Sequence, residues 1–171
     1  LTIGLTASPE RCEDPQFTST DDVAPLQGLS VTQAEGLILA DWATGKAVLE
    51  FGTGYGVSTV CLAKTATRVD TIDPDAWVLS ELTLPLNVTQ YDVVADVSAK
   101  TYDLVFIDVP TDWSTVMSCI QAALPLVKDP GHIAVHDLSF DSVRDACGHF
   151  QWTSRDQRDT VGKLTLFGIP V

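Results

Sequence analysis

Five acids and three glycines stand where this chain could do chemistry. Glu50, Asp73, Asp96, Asp108 and Asp137 each lie at or beside the end of a short apolar run. Gly52, Gly54 and Gly56 follow the first acid at alternate positions in the stretch VLEFGTGYGVST, Val48 to Thr59. Short apolar runs bounded by turn residues read as buried strands, and in an open α/β sheet ligands bind beyond the carboxyl ends of the strands. A single Asp there is as readily a turn residue. Five acids along one edge suit hydroxyl groups, a cationic group or a metal ion. Glycine admits positive φ and lets a ligand approach the main chain closely. The helix that would start at Val57 offers free N–H groups to an anionic part of a ligand. The dinucleotide pattern G-x-G-x-x-G needs its third glycine at position 57, where Val57 stands, so a nucleotide-dependent oxidoreductase is disfavoured.

The elements that would hold these residues alternate between strand and helix. Ser30 and Gln33 fit a capping box with Leu29 as staple residue, opening a helix that Gly45 ends. Val48–Phe51 reads as a strand and Val57–Lys64 as the helix after it. Val69–Ile72 is a second strand, Ala76–Leu84 a short helix stopped by Pro85, and Tyr91–Ala95 a third strand. The run LVFI, Leu104–Ile107, is a fourth. Asp112 caps a helix whose apolar residues Trp113, Val116, Met117, Ile120, Leu124 and Val127 recur at helical spacing. Pro130-Gly131 breaks it, Ile133–Val135 is a fifth strand, and a helix follows near Phe140–Cys147. Closing strands are expected around Phe150–Thr153 and Lys163–Phe167. Short, apolar, β-branched strands alternating with helices call for a parallel sheet covered on both faces.

At 171 residues the chain is expected to form one domain over 30–171, preceded by a polar arm or flap over 1–29. A net charge of −13 repels phosphate backbones and argues against nucleic acid as partner. No run is long and apolar enough to span a membrane. Cys12, Cys61, Cys119 and Cys147 have no metal-binding spacing, and the three in expected helices, Cys61, Cys119 and Cys147, read as small core residues. With nothing resembling a secretory signal, the expectation is a cytoplasmic protein in a reducing compartment.

The segments VLEFGTGYG, VDTIDPD and YDLVFID together resemble the class I S-adenosylmethionine-dependent methyltransferases. From Val31 onward the likeness is greatest to the catechol-type small-molecule O-methyltransferases, through AEGLILADWA, LVFID and IAVHDL. The resemblance implies a Rossmann-like, mostly parallel sheet of seven strands, the last inserted antiparallel, with helices on both faces. It implies that Gly52, Gly54, Tyr55 and Gly56 admit the methionine part of S-adenosylmethionine, with Glu50 near its ammonium group and Ser58 near its carboxylate. Asp73 would hold the ribose hydroxyls, Pro74 would cover the adenine face, and Asp96 would lie at the adenine edge. The partner it implies is a small-molecule hydroxyl acceptor; an oligomer is compatible with it.

Relatives of the catechol type place a divalent cation, Mg²⁺, between an Asp ending the fourth strand and an Asp-Asn pair ending the fifth. Asp108 and Asp137 match the acids, while Leu138 stands at the Asn position and Thr111 at that of a catalytic Lys. Asp141 or Asp112 could supply a third oxygen. Without a metal, His136 or Asp108 would be the general base; His136 also reads as a strand-end histidine satisfied by the backbone. His132 and His149 read as structural. Trp42, Trp113 and Trp152 are candidates to line an acceptor pocket, with Trp113 also fitting the apolar helix face. The alternative to an active O-methyltransferase is a protein that binds the cofactor without catalysing transfer.

Overall fold

The computed structural model describes residues 31–74, 84–157 and 163–169. The elements are α1 (Gln33–Ala43), β1 (Ala47–Phe51), α2 (Val57–Ala63), β2 (Arg68–Ile72), β3 (Val88–Tyr91), a 3-10 turn (Val94–Val97), β4 (Tyr102–Ile107), α3 (Trp113–Ala123), β5 (Val127–Val135), α4 (Asp141–Gly148), β6 (Arg155–Gln157) and β7 (Thr165–Gly168). The proposed arm over 1–29 and the helix expected at Ala76–Leu84 fall outside these residues, except Leu84.

The strands form a seven-stranded sheet in the order β3-β2-β1-β4-β5-β7-β6. Pairs β1–β2, β1–β4, β2–β3 and β4–β5 are parallel, and β7 runs antiparallel to both β5 and β6. The first five strands therefore end on one edge, and the loops after them share it. Alternation along the strands divides the core in two. Leu49, Phe51, Val105, Ile107, Ile133 and Val135 pack with α3 and α4 on one face. Val48, Leu104, Phe106 and Ala134 pack with α1 and α2 on the other. Glu50 and His136 continue this second alternation, so both side chains fall on the side of α1 and α2. Asp70, buried on β2, is satisfied by the Tyr102 hydroxyl at 2.7 Å and the Lys100 ammonium at 3.1 Å, as a buried charge must be.

Several boundaries differ from the sequence expectation. The cap of α1 is Thr32, not Ser30: Thr32 Oγ1 accepts from the Glu35 amide, and Glu35 Oε2 accepts from the Thr32 amide at 2.7 Å. The same T-x-x-E spacing, two residues later, outcompetes S-x-x-Q because an ionised carboxylate is the stronger acceptor. β3 lies at Val88–Tyr91, so Asp96 sits in the 3-10 turn after it rather than at its end. The helix capped by Asp112 stops at Ala123, and β5 begins at Val127 and carries Pro130-Gly131 within it. A register shift between Tyr102 and Leu104 in the β4 pairing absorbs that irregular stretch. The closing strands fall slightly later than expected, at Arg155–Gln157 and Thr165–Gly168. Cys119 and Cys147 are free, whereas Cys61 is disulfide-bonded, which corrects the reading of it as a plain reduced core residue.

Candidate active site

The glycine turn is built as its sequence requires. Gly52, Gly54 and Gly56 have φ of 91°, 49° and 80°, all in the left-handed region. At Gly52 a side chain is excluded twice over, by this φ and by the backbone carbonyl of Asp108, which fills the space a Cβ would take. Gly56 is the cap residue of α2. Beneath the turn Glu50 is fully buried. Ser58 Oγ donates to its Oε1 at 2.6 Å, and Thr59 Oγ1 and Thr71 Oγ1 donate to its Oε2 at 2.5 and 2.7 Å. Because Thr71 spends its proton on Glu50, Thr53 is the donor in the 2.7 Å contact between the two threonine hydroxyls. Burial outweighs these bonds and pushes the Glu50 carboxyl up to about 7. Glu50 and Ser58 are thus bonded to each other, as the floor of the turn.

Asp73 follows β2 and faces the turn: its Oδ2 accepts from the Gly54 amide at 2.9 Å. Its own amide donates to the Tyr91 carbonyl, tying β2 to β3. Pro74 beside it is exposed, Tyr55 is half-buried, and Asp96 is exposed beyond β3. The residues expected to hold a nucleoside therefore share one sheet edge.

At the ends of β4 and β5 the structure brings together Asp108, His136 and Asp137. His136 Nδ1 lies 3.2 Å from Asp108 Oδ1 and 3.6 Å from Asp137 Oδ2. Asp137 has a φ of 58°, a left-handed conformation costly for a side chain bearing a Cβ and typical of functional edges. The fourth member is Glu35, from α1. It is buried, and its Oε1 lies 3.3 Å from His136 Nε2. Burial alone would lower the His136 pKa, but the carboxylates of Asp108, Asp137 and Glu35 outweigh it and raise it to about 12. Burial likewise works to raise Glu35, yet His136 and the Thr32 amide hold it at about 2. An imidazolium has no lone pair to accept a proton, so the expected role of His136 as general base is not open to the charged ring. Nor is His136 satisfied by the backbone. Glu35 was not among the expected site residues; the T-x-x-E spacing is its one local signal.

The donors do not suit Mg²⁺, which demands near-ideal octahedral oxygen coordination. Leu138, at the amide position, is buried in the core beside Val143 and Val135. Asp112 spends Oδ1 on the Ser114 hydroxyl and the Thr115 amide, and Asp141 pairs with Arg144. An imidazole stands where an oxygen would be wanted. Of the tryptophans, Trp42 is core and Trp152 stacks on Phe167 at 4.5 Å. Trp113 is not on the buried face of α3: it is 42% exposed at the helix start, edge-on to His149. Phe140, just after the Asp137 turn, is 49% exposed. His132 is half-buried within β5, where burial and Lys46 lower its pKa.

Residues 49–138 match the family model described as a methyltransferase domain. The fold is similar to that of TomG, an O-methyltransferase from Streptomyces achromogenes solved with SAM: 18% identity, 95% of this chain and 89% of that one, TM-score 0.65. It is similar also to the N-methyltransferase NodS from Bradyrhizobium japonicum, with 16% identity over 81% of this chain and 94% of that one, TM-score 0.59. A third similar structure is a Streptococcus mutans protein described as a SAM-dependent methyltransferase, with 17% identity over 81% of this chain and a TM-score of 0.58. This chain spans about half the length of that protein, 48%. No curated protein matches the sequence at a significant level. No helix among the described residues is long and apolar enough to cross a membrane.

Proposed function

Because the chain belongs to the methyltransferase-domain family, we propose that it transfers the methyl group of S-adenosylmethionine to a hydroxyl of a small molecule. One observation carries this reading: the Asp73 carboxylate, at the end of β2, stands over a left-handed glycine turn and is fixed to it through the Gly54 amide. A carboxylate so placed can accept from two vicinal hydroxyls of a ribose, each charge-assisted bond contributing roughly 1.5–3 kcal/mol. The open backbone of Gly52 and Gly54, with Tyr55 and Gly56, would receive the methionine part. Glu50 would act from beneath: the ammonium group above the turn favours its ionised form. Ser58, bonded to Glu50, would act through that acid. Pro74 and Asp96 would border the adenine.

The acceptor would lie beyond β4 and β5. Asp108 is half-buried there, close enough to the cofactor turn that its carbonyl packs on Gly52. Its carboxylate would orient the hydroxyl for in-line attack on the methyl group, and alignment of this kind supplies much of the acceleration in a group transfer. TomG, an O-methyltransferase of the same fold, supports oxygen as the acceptor atom. A net charge of −13 supports a small, non-phosphate acceptor.

Two measurements test the proposal in sequence. Calorimetry should show saturable binding of S-adenosylmethionine and S-adenosylhomocysteine and none of NAD. A labelled-methyl assay over catechols, phenols, sugars and amines should then give product on oxygen. Absence of cofactor binding refutes the family role for this chain, and transfer to amines alone refutes the acceptor.

A further inference from the structure

Two buried hydroxyls join the acid of β1 to the glycine turn above it. We propose that Thr71 is a positioning residue for the cofactor: it links the charge of Glu50 to Thr53 and so holds the glycine turn in the shape that receives the methionine part of S-adenosylmethionine. The inference rests on the reading of that turn as the cofactor turn. It adds a residue that acts on the cofactor without touching it.

Three observations carry it. First, Thr71 stands opposite Glu50 in the β1–β2 register, and its hydroxyl donates to Glu50 Oε2 at 2.7 Å. The Thr71 oxygen in turn takes the Thr53 hydroxyl at 2.7 Å. All three residues are buried, none more than 2% exposed. Second, Thr53 closes the turn. It lies between Gly52 and Gly54, and its carbonyl accepts from the Gly56 amide at 2.7 Å. A continuous chain of hydrogen bonds therefore runs from the acid to the backbone of the turn, and the members of such a chain polarise one another. Third, the Thr71 hydroxyl is not needed to satisfy Glu50. Ser58 already serves Oε1 and Thr59 already serves Oε2, at 2.6 and 2.5 Å. Valine would suit a buried strand position equally well, so the hydroxyl itself calls for a role.

The direction of the chain follows the charge of Glu50. An ionised carboxylate only accepts. Thr71 then gives its hydrogen to Glu50 and offers its oxygen to Thr53, which anchors the turn. A protonated Glu50 carries a hydrogen of its own that competes with those of the hydroxyls, and the anchor loosens. Burial pushes the Glu50 carboxyl up to about 7, with Asp108 at the end of β4 adding to the rise. The neighbouring elements bring it no counter-charge: α2 contributes hydroxyls, and β4 sets Phe106 opposite. Of the other charged groups at this edge, His136 and Glu35 are paired with each other, and Asp73 is bonded to the Gly54 amide. The ammonium group of an arriving cofactor would supply the missing charge and draw the turn into its anchored form.

The test is calorimetry of the whole chain with S-adenosylhomocysteine at about pH 5.5 and about pH 8. Thr71→Val keeps the shape and removes the hydroxyl. It should weaken binding about tenfold at the higher pH, as expected for one bond to a charged group, and less than about threefold at the lower. Thr71→Ser should restore the affinity. In Glu50→Gln, where no charge is left to transmit, Thr71→Val should cost nothing further. Thr165→Val removes a buried hydroxyl on β7, outside the site, and should change neither affinity. Should Thr71→Val fail to fold, the unmodified chain reads the same point: heats in two buffers of different ionisation enthalpy should show proton release on binding near pH 6.5, absent in Glu50→Gln. Equal losses at both pH values, no rescue by serine, a further loss in Glu50→Gln, or binding without proton release would each overturn the inference. Absence of binding by the unmodified chain would overturn the cofactor reading and this inference with it.

Discussion

Glu35 and His136 lie 101 residues apart in the chain and meet at 3.3 Å in a buried contact between α1 and the end of β5. One carboxylate performs two tasks. Its Oε2 closes the capping box on Thr32, and its Oε1 holds the ring that stands between Asp108 and Asp137. The helix that begins the described chain is thereby pinned to the edge where the chemistry is proposed.

That pairing predicts a large, non-additive cost. Glu35→Gln keeps an oxygen for the cap but removes from a buried imidazolium the one counter-charge on its Nε2 side, a change worth on the order of 3 kcal/mol. Thr32→Ala, which removes only a cap, should cost about 1 kcal/mol. Urea denaturation measures both. The double variant Glu35→Gln, His136→Gln should lose much less than the sum of its single changes; simple additivity would show that the two side chains are not coupled.

Gly52 predicts a second large effect. Gly52→Ala forces a Cβ into a left-handed conformation and into the Asp108 carbonyl. The expected loss exceeds about 2 kcal/mol, with weaker S-adenosylmethionine binding in whatever folds. Gly148→Ala, which meets open space within α4, is the control and should be neutral or slightly stabilising. Equal behaviour of the two variants would contradict the packing of the turn on β4.

Asp73 and Asp108 should separate binding from chemistry. Asp73→Ala removes the acceptor for the ribose and should weaken the cofactor ten- to a hundredfold per bond lost, from roughly 1.5–3 kcal/mol each. Asp73→Asn, which can still accept from the Gly54 amide, should lose less. Asp108→Ala should leave the cofactor affinity unchanged. Calorimetry with S-adenosylhomocysteine decides, and equal losses from Asp73→Ala and Asp108→Ala would refute the division.

Glu50 gives the protein a pH dependence with a definite sign. Burial raises its carboxyl from 4.5 to about 7 in the folded state. The folded chain therefore binds that proton more tightly than the unfolded chain. The associated stability is complete below pH 4.5 and is lost as pH rises through 7, by on the order of 3 kcal/mol. Glu50→Gln abolishes this slope. Parallel stability curves for the two proteins between pH 5 and 8 would show that Glu50 ionises without penalty.

What the sequence disclosed and what it withheld follow from the range of the interactions. The glycine turn, Asp73, Asp108 and Asp137 were legible because each is announced locally, by a β-branched run that ends in a turn residue. The same rule misplaced β3, where VTQY carries no apolar run and Tyr91–Ala95 looks more like a strand. Pro130-Gly131 signalled an end to regular structure, yet β5 resumes pairing with β4 at His132 after a register shift that takes up the residues between. Glu35 was invisible as a site residue. Its partner is on the far side of the sheet's sequence order, and a neighbouring S-x-x-Q offered a cap of nearly equal appearance. Trp113 misled for the opposite reason: helical spacing marks it as buried, but as the first residue of α3 it stands a turn before the buried run and is left exposed.

The carbonyl packed against position 52 belongs to the same residue whose carboxylate stands beside His136 at the end of β4. The glycine turn and the proposed reaction edge are consequently one rigid part rather than two adjoining ones. A change that reshapes the hold on the nucleoside at that point must also tilt Asp108, so neither can be retuned alone. Diversification toward new acceptors is then left to surfaces anchored elsewhere, and the exposed rings of Trp113 and Phe140, each at the entry to its own helix, are where such variation could accumulate without disturbing that shared joint.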